Sequence, residues 1–153
     1  MNDPVLGELK SDPRLPGCVF ASIPYQGRSI ELRVDPDDVP IEECLSLARG
    51  FVASLENFET KARVVASQKL LGEYSQNWRE FSRTRSDGNM ERVVNPALDS
   101  VQFSQQLILE SIAVTGSVLE FCFGDNRLFA GHSIFVTSFD GAAFTDVAAD
   151  LFG

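Results

Sequence analysis

The chain has 153 residues, of which 44% are hydrophobic and 23% charged, and its formal net charge at pH 7 is −9. These values are typical of a globular domain and argue against disorder over the whole chain. No apolar stretch approaches the roughly 20 residues that a membrane-spanning helix needs, and the opening residues Met1-Asn2-Asp3-Pro4 lack the pattern of a secretory signal. We therefore expect a cytoplasmic protein, folded as one domain over residues 1–153, with no membrane partner.

The charge is distributed unevenly along the chain. Residues 1–59 and residues 93–153 each carry a net charge of −6, whereas residues 60–92 carry +3. Because phosphate contacts need clustered lysine and arginine, most of this surface would repel nucleic acid. Two interpretations of the acidity stay open: it keeps the protein soluble, or it forms a surface that binds a basic protein.

The N-terminal part predicts a β-hairpin. Apolar and polar residues alternate on both sides of the turn-like Tyr25-Gln26-Gly27-Arg28, which is typical of half-buried strands. The hairpin is expected over residues 18–34. The following Asp35-Pro36-Asp37-Asp38 should end the second strand and supply carboxylates that cap a helix.

Two helices are predicted next, over residues 39–57 and 60–78, because apolar residues recur there at helical spacing. Residues 79–99 lose this periodicity and are expected to form a loop. A short helical turn capped by Asp99 or Ser100 should follow. The apolar stripes of the two helices are Ile41, Leu45, Ala48, Val52 and Leu55, and Val64, Ser67, Leu71, Tyr74 and Trp78.

The C-terminal part predicts a four-strand meander. Its strands are expected over residues 107–114 and 118–123, from Phe129 or His132 to Phe139, and over residues 144–148, with the Asp140-Gly141 pair as a hairpin turn. The predicted fold class is α+β: an antiparallel sheet, made of the N-terminal hairpin and the meander, with two main helices packed on one face. The residues predicted to be buried are Ile41, Leu45, Val52, Leu55, Leu71, Phe121, Phe123, Ile134 and Val136.

Few arrangements in the sequence carry chemistry. His132 is the only histidine, and Cys18, Cys44 and Cys122 are far apart, whereas a zinc site needs clustered histidines or paired cysteines. We expect no metal site, no disulfide, no catalytic residue and, since no glycine-rich loop leads into a helix, no cofactor. His132 is expected to be structural, bonded to protein at the start of the third meander strand.

One cluster of aromatic and basic residues has both a structural and a functional interpretation. Tyr74 and Trp78, followed by Arg79, Arg83 and Arg85, could stack on single-stranded nucleic acid; the simpler prediction places both rings in the core and the arginines on a solvated loop.

The acidic segment over residues 35–43 is the candidate binding site, because a surface of one charge steers association with a partner of the opposite charge. Its acids are Asp35, Asp37, Asp38, Glu42 and Glu43.

Several segments resemble a small bacterial family of unknown function. The resemblance covers nearly the whole chain, and its Gly-His-Ser-Ile segment is the most specific part. Families of this general appearance include immunity proteins of bacterial toxin systems. The resemblance therefore implies a non-catalytic protein-binding domain, and more specifically an immunity-type inhibitor of a basic toxin. The matching segments are Asp3 to Gly7, Leu70-Leu71, Tyr74, Asn77-Trp78, Phe121 to Phe123, Leu128 to Ile134, Phe139 to Gly141 and Leu151 to Gly153.

A second hypothesis stays open beside this one. The chain could be a small-molecule-binding protein or an enzyme whose site is assembled from dispersed residues around His132. A pocket that joins His132 to a carboxylate and a nucleophile would favour that hypothesis. A flat acidic surface would favour protein binding.

Overall fold

The computed structural model describes all 153 residues and shows an α+β fold. The strands are β1 Asn2–Asp3, β2 Gly7–Glu8, β3 Lys10–Ser11, β4 Val19–Tyr25, β5 Arg28–Asp35, β6 Glu80–Thr84, β7 Met90–Val94, β8 Ile108–Thr115, β9 Val118–Gly124, β10 Ser133–Ser138 and β11 Val147–Phe152. The main sheet has seven strands in the order β11-β10-β9-β8-β5-β4-β3, and the pairs β1-β2 and β6-β7 form two separate two-stranded sheets. The helices are α1 Ile41–Ala53, α2 Leu55–Glu73 and α3 Ser100–Gln106, with a π-helical turn over Tyr74–Trp78 and a 3-10 turn over Gly141–Ala143.

The C-terminal meander and the N-terminal hairpin are both present, but one strand and the junction between the two differ from the prediction. The fourth meander strand, β11, covers Val147–Phe152 and not residues 144–148, because a 3-10 turn over Gly141–Ala143 lengthens the connection after β10. Strands β8 to β11 are antiparallel neighbours, and β4 pairs with β5 in the same way. The hairpin joins the meander through β5 and β8, which are parallel. The prediction of a wholly antiparallel sheet is therefore wrong. The chain between these strands passes through all three helices, and so long a crossover can return it in the same direction.

The two predicted helices are present with different boundaries. α1 ends at Ala53, and α2 begins at Leu55, five residues before the predicted start. Ser54 between them has φ −121° and ψ 29°, outside the helical region. The apolar pattern runs without interruption across Ser54, so periodicity alone could not locate this break. The break lets α1 pack on β5 and β8 and α2 pack on β10 and β11.

Most of the predicted core is buried, with three exceptions. Ile41 is 37% exposed, and Val52 and Leu71 are half-buried. The inner face of α1 is shifted toward Cys44 and Phe51, and α2 buries Leu70 in place of Leu71. Burial is confirmed for Leu45, Leu55, Phe121, Phe123, Ile134 and Val136.

Residues 79–99 contain a β-hairpin where a loop was predicted. β6 pairs with β7, and the turn is closed by a hydrogen bond from Arg85 N to Asn89 O at 2.7 Å. Only the face with Phe81 and Val93 is half-buried, so the strands lack a clear apolar alternation. The short helix after the hairpin is confirmed as α3. Asp99 caps it by accepting a hydrogen bond from Gln102 N at 2.8 Å.

Candidate functional site

The acidic segment is positioned by the end of β5 and the start of α1. The carbonyl of Asp35 accepts a hydrogen bond from Gly116 N at 2.7 Å, which joins the segment to the turn between β8 and β9. Cys44 is buried under the first turn of α1, and its Sγ lies 3.4 Å from the carbonyl oxygens of both Asp35 and Gly116. These contacts hold the segment against the sheet. Asp37, Asp38, Glu42 and Glu43 are exposed, and Asp35 is half-buried.

The topology brings further acids to the same end of the sheet. β3 ends, β4 begins and β5 ends at this end, because Ser11 lies opposite Val19 and Val19 opposite Val34. β8 also ends here, with Thr115 opposite Asp35, and β9 begins here. Ser138 at the end of β10 lies opposite Leu119 near the start of β9 and opposite Val147, so β10 ends and β11 begins at this end too. Three aspartates in the adjoining loops therefore join the segment. We call this set the acidic pole: Asp12, Asp35, Asp37, Asp38, Glu42, Glu43, Asp140 and Asp146.

Two carboxylates of the acidic pole also bind their own loops. Hydrogen bonds, first of all from the Thr145 side chain, lower the pKa of Asp140 to about 2. The carboxylate of Asp140 also accepts from Ser138 Oγ at 3.1 Å and from Thr145 N at 3.0 Å. The Arg14 side chain lowers the pKa of Asp12 and pairs with it at 2.7 Å. Both groups therefore stay ionised at neutral pH, and Arg14 neutralises only one of the eight charges.

Basic residues gather at the other end of the strands. β6 and β7 extend from the π-helical turn, whose Trp78 ring contacts His132 just before β10 begins. Asn95, after β7, donates a hydrogen bond to the carbonyl of Arg127 at 3.5 Å. We call this strand pair with Arg79 the basic hairpin; it carries Arg79, Arg83, Arg85 and Arg92. With Glu80, Asp87 and Glu91 counted, residues 79–95 carry a net charge of +1.

The arginines of the basic hairpin form ion pairs within it. Arg83 pairs with Glu91 at 3.0 Å, and Arg92 pairs with Glu80 at 2.6 Å. Tyr74, from the same sequence cluster, is fully buried and donates a hydrogen bond to Pro96 O at 2.7 Å. Trp78 is half-buried against Phe129. The structure therefore places the two rings at the core and the arginines on a separate strand pair.

His132 lies in the turn before β10, where the sequence places it. Its Nδ1 lies 2.5 Å from the carbonyl oxygen of Phe129, and its ring meets the Trp78 ring edge-to-face at 5.2 Å. Asp125, at the start of this turn, accepts hydrogen bonds from the backbone N–H groups of Arg127, Phe129 and Gly131. The bonds of Asp125 and His132 thus shape this turn.

The acidic pole contains residues that sequence reasoning did not select. Asp12, Asp140 and Asp146 are far from residues 35–43 in the chain, and only the strand order brings them together. The excess of acids in residues 93–153 was the available signal. That signal was incomplete, because Glu110 and Asp125 of the same block lie at the opposite end of the sheet.

Comparison with known families gives one result. Residues 3–146 match the DUF2262 family, described as an uncharacterized protein conserved in bacteria. The chain belongs to this family. The predicted resemblance to a bacterial family of unknown function is confirmed. No curated protein and no solved structure matches the chain. None of the helices is long and apolar enough to cross a membrane.

Proposed function

We propose that this chain is a cytoplasmic protein-binding domain that docks on a basic protein through the acidic pole. The observation that supports the proposal is the convergence of eight carboxylates, contributed by three separate stretches of the chain, at one end of the sheet. Charge of one sign on a binding surface raises the association rate and fixes the orientation of the encounter.

An immunity-type inhibitor of a bacterial toxin is the specific form that we propose. A toxin that cleaves nucleic acid binds its substrate through clustered lysine and arginine. Exposed carboxylates such as those of Asp37, Asp38 and Glu42 can pair with these cations in place of phosphates. The acidic pole would then occupy the cationic cleft and exclude the substrate.

The first experiment identifies a partner and measures its association rate. The purified chain is used to capture proteins from its native host, and the rate of association with the captured partner is followed by stopped flow at several salt concentrations. We expect the rate to fall as salt rises, since ions screen exposed charges beyond about 10 Å at 0.1 M. A rate that is flat between low and physiological salt contradicts the proposal.

A matched pair of variants locates the effect at the acidic pole. The double variant Glu42→Gln/Glu43→Gln removes two exposed charges from the pole, and Glu31→Gln/Glu110→Gln removes two exposed charges near the other end of the strands. At low salt the pole variant should associate about two- to tenfold more slowly, whereas the control should stay within about twofold of the unmodified chain. Equal losses in both variants would show that only the net charge matters.

A further inference from the structure

The two edges of the main sheet differ in how well they are protected. β3 at one edge has only two residues, includes Lys10, and is soon followed by Pro13. β11 at the other edge has six residues, and its sequence Val-Ala-Ala-Asp-Leu-Phe has no proline, lysine or arginine. Natural proteins usually shorten edge strands or place lysine or proline in them to prevent pairing with another chain. β11 has neither of these features.

The register shows which backbone groups of β11 point away from the sheet. Phe139 N donates to Asp146 O at 2.8 Å, so the pair 139–146 is hydrogen-bonded. Hydrogen-bonded and non-bonded pairs alternate in an antiparallel ladder, so Ala148 and Asp150 bond to β10 and Val147, Ala149 and Leu151 do not. The N–H and C=O groups of these three residues face outward, where no strand lies.

The side chains at this edge define the chemistry of a matching strand. On the face opposite the helices, β11 presents Asp150 and Phe152, both exposed, and Asp146 of the acidic pole precedes the strand. Phe152 packs on Phe135 with 4.9 Å between ring centroids. Residues 128–153 contain three aspartates and no lysine or arginine. An added strand would therefore complement the charge of this edge if it carried basic residues on this face.

The helix side of the edge favours apolar residues. Val147, Ala149 and Leu151 are half-buried against the core. Beside them, a groove lined by Thr60, Lys61, Val64, Val65 and Phe144 has a volume of about 350 Å³. Lys61 is the cation among the residues that line this groove, and its Nζ lies 5.6 Å from the centre of the Phe58 ring. Alternate side chains of an added strand would point toward this apolar surface.

A second copy of the chain fits the edge less well. Antiparallel pairing of two β11 strands about Ala149 would place the two Asp150 carboxylates as diagonal neighbours, about 7–8 Å apart. Each copy would also bring a net charge of −9. Like charges at this distance repel each other, so charge complementarity selects a basic occupant.

We infer that β11 is a docking edge for an extended basic segment of the protein partner, which adds an eighth strand to the sheet. The segment alternates lysine or arginine, facing Asp146 and Asp150, with apolar residues that face the helices. The inference rests on the proposed function, because it states how a basic partner is held after the acidic pole has attracted it. Main-chain hydrogen bonds supply the affinity in such strand additions, and side chains supply the specificity.

The test uses a fluorescent, end-capped seven-residue peptide of alternating lysine and valine, with binding followed by fluorescence anisotropy. The variant Ala149→Pro removes an outward N–H and no bond to β10, and proline is tolerated at such an edge position. We expect this variant to bind the peptide at least tenfold more weakly, with its fold checked by circular dichroism. Glu31→Gln/Glu110→Gln should bind it within about twofold of the unmodified chain, because these residues lie on β5 and β8, four and three strands away from β11.

A second probe leaves the protein unchanged. The same peptide with N-methyl groups on alternate residues keeps its charge and cannot form the ladder, so it should also bind at least tenfold more weakly. Equal binding of both peptides, or no binding of either, overturns the docking edge, while the salt dependence of partner association still tests the acidic pole separately. Dimerisation of the chain that Ala149→Pro abolishes in sedimentation would assign the edge to a second copy and overturn the inference.

Discussion

Arg63 forms an ion pair with Glu59 one turn earlier in α2, with 3.0 Å between Arg63 Nε and Glu59 Oε1. Glu59 is buried, and its second oxygen has no hydrogen-bond partner. Arg63 Nη1 also donates to the carbonyls of Ser104, at 2.5 Å, and Leu107, at 2.8 Å, so it joins α2 to the end of α3. Its guanidinium lies 5.2 Å from the centre of the Phe123 ring.

The variant Arg63→Ala should therefore lose much of the stability of the fold. It leaves the Glu59 carboxylate buried without its cation, which costs about 3–5 kcal/mol in comparable pairs. Urea denaturation followed by circular dichroism measures the change in the free energy of unfolding. The exposed neighbour Lys61 provides the control, and Lys61→Ala should change it by less than about 1 kcal/mol. Similar small losses in both variants would show that the ion pair is not important for stability.

Local patterns predicted the elements better than their assembly. The alternation around Tyr25-Gln26 and along Phe121 to Phe123 is a local signal, and those strands form as expected. The parallel pairing of β5 with β8 depends on the path of the whole intervening chain, which periodicity does not report. The same holds for the candidate site: residues 35–43 are contiguous and were found, whereas Asp140 and Asp146 join them only through the order of the strands.

His132 should contribute to stability through its turn. Replacing it with alanine removes the bond to the Phe129 carbonyl and the contact with Trp78, so we expect a loss of about 1 kcal/mol. Trp78 is the only tryptophan, and its emission should shift to longer wavelength as its ring becomes more exposed. Unchanged stability and unchanged emission would contradict a structural role for His132.

The three cysteines are free thiols in the structure. Burial, and next the nearby Asp35, raise the pKa of Cys18, and burial also raises the pKa of Cys44 and Cys122. Because the thiolate is the reactive form, all three should react slowly with a thiol reagent in the folded protein. Titration after unfolding under non-reducing conditions should give three thiols. A result of one would mean that a disulfide has formed.

Asp140 should make stability depend on pH in the acid range. Its pKa is about 2 in the folded chain, below the usual 3.8, because the Thr145 side chain and then backbone groups donate to the carboxylate. A depressed pKa stabilises the fold above the unfolded pKa, and this contribution is lost as pH falls through the folded pKa. Asp140→Asn should therefore be less stable than the unmodified chain at pH 7, with a difference that shrinks between about pH 4 and pH 2.

Urea denaturation at a series of pH values checks this dependence. The variant Glu31→Gln is the control, because Glu31 is exposed and takes part in no ion pair or side-chain hydrogen bond. Its stability relative to the unmodified chain should stay nearly constant over the same range. If the difference for Asp140→Asn were also constant, the carboxylate would not be responsible for the acid dependence.

The basic hairpin should be dispensable for folding of the rest of the chain. Its two ends are adjacent, since Asn95 N donates to Arg79 O at 2.7 Å, and residues 82–90 are all exposed. Isolated two-stranded hairpins are marginally stable in water, so this one adds little to the core. Replacing residues 80–94 by three glycines should lower the melting temperature by less than about 4 °C, which corresponds to roughly 1 kcal/mol in a domain of this size. A much larger fall, measured by circular dichroism, would mean that Phe81 and Val93 stabilise the main sheet, and the hairpin would then belong to the core.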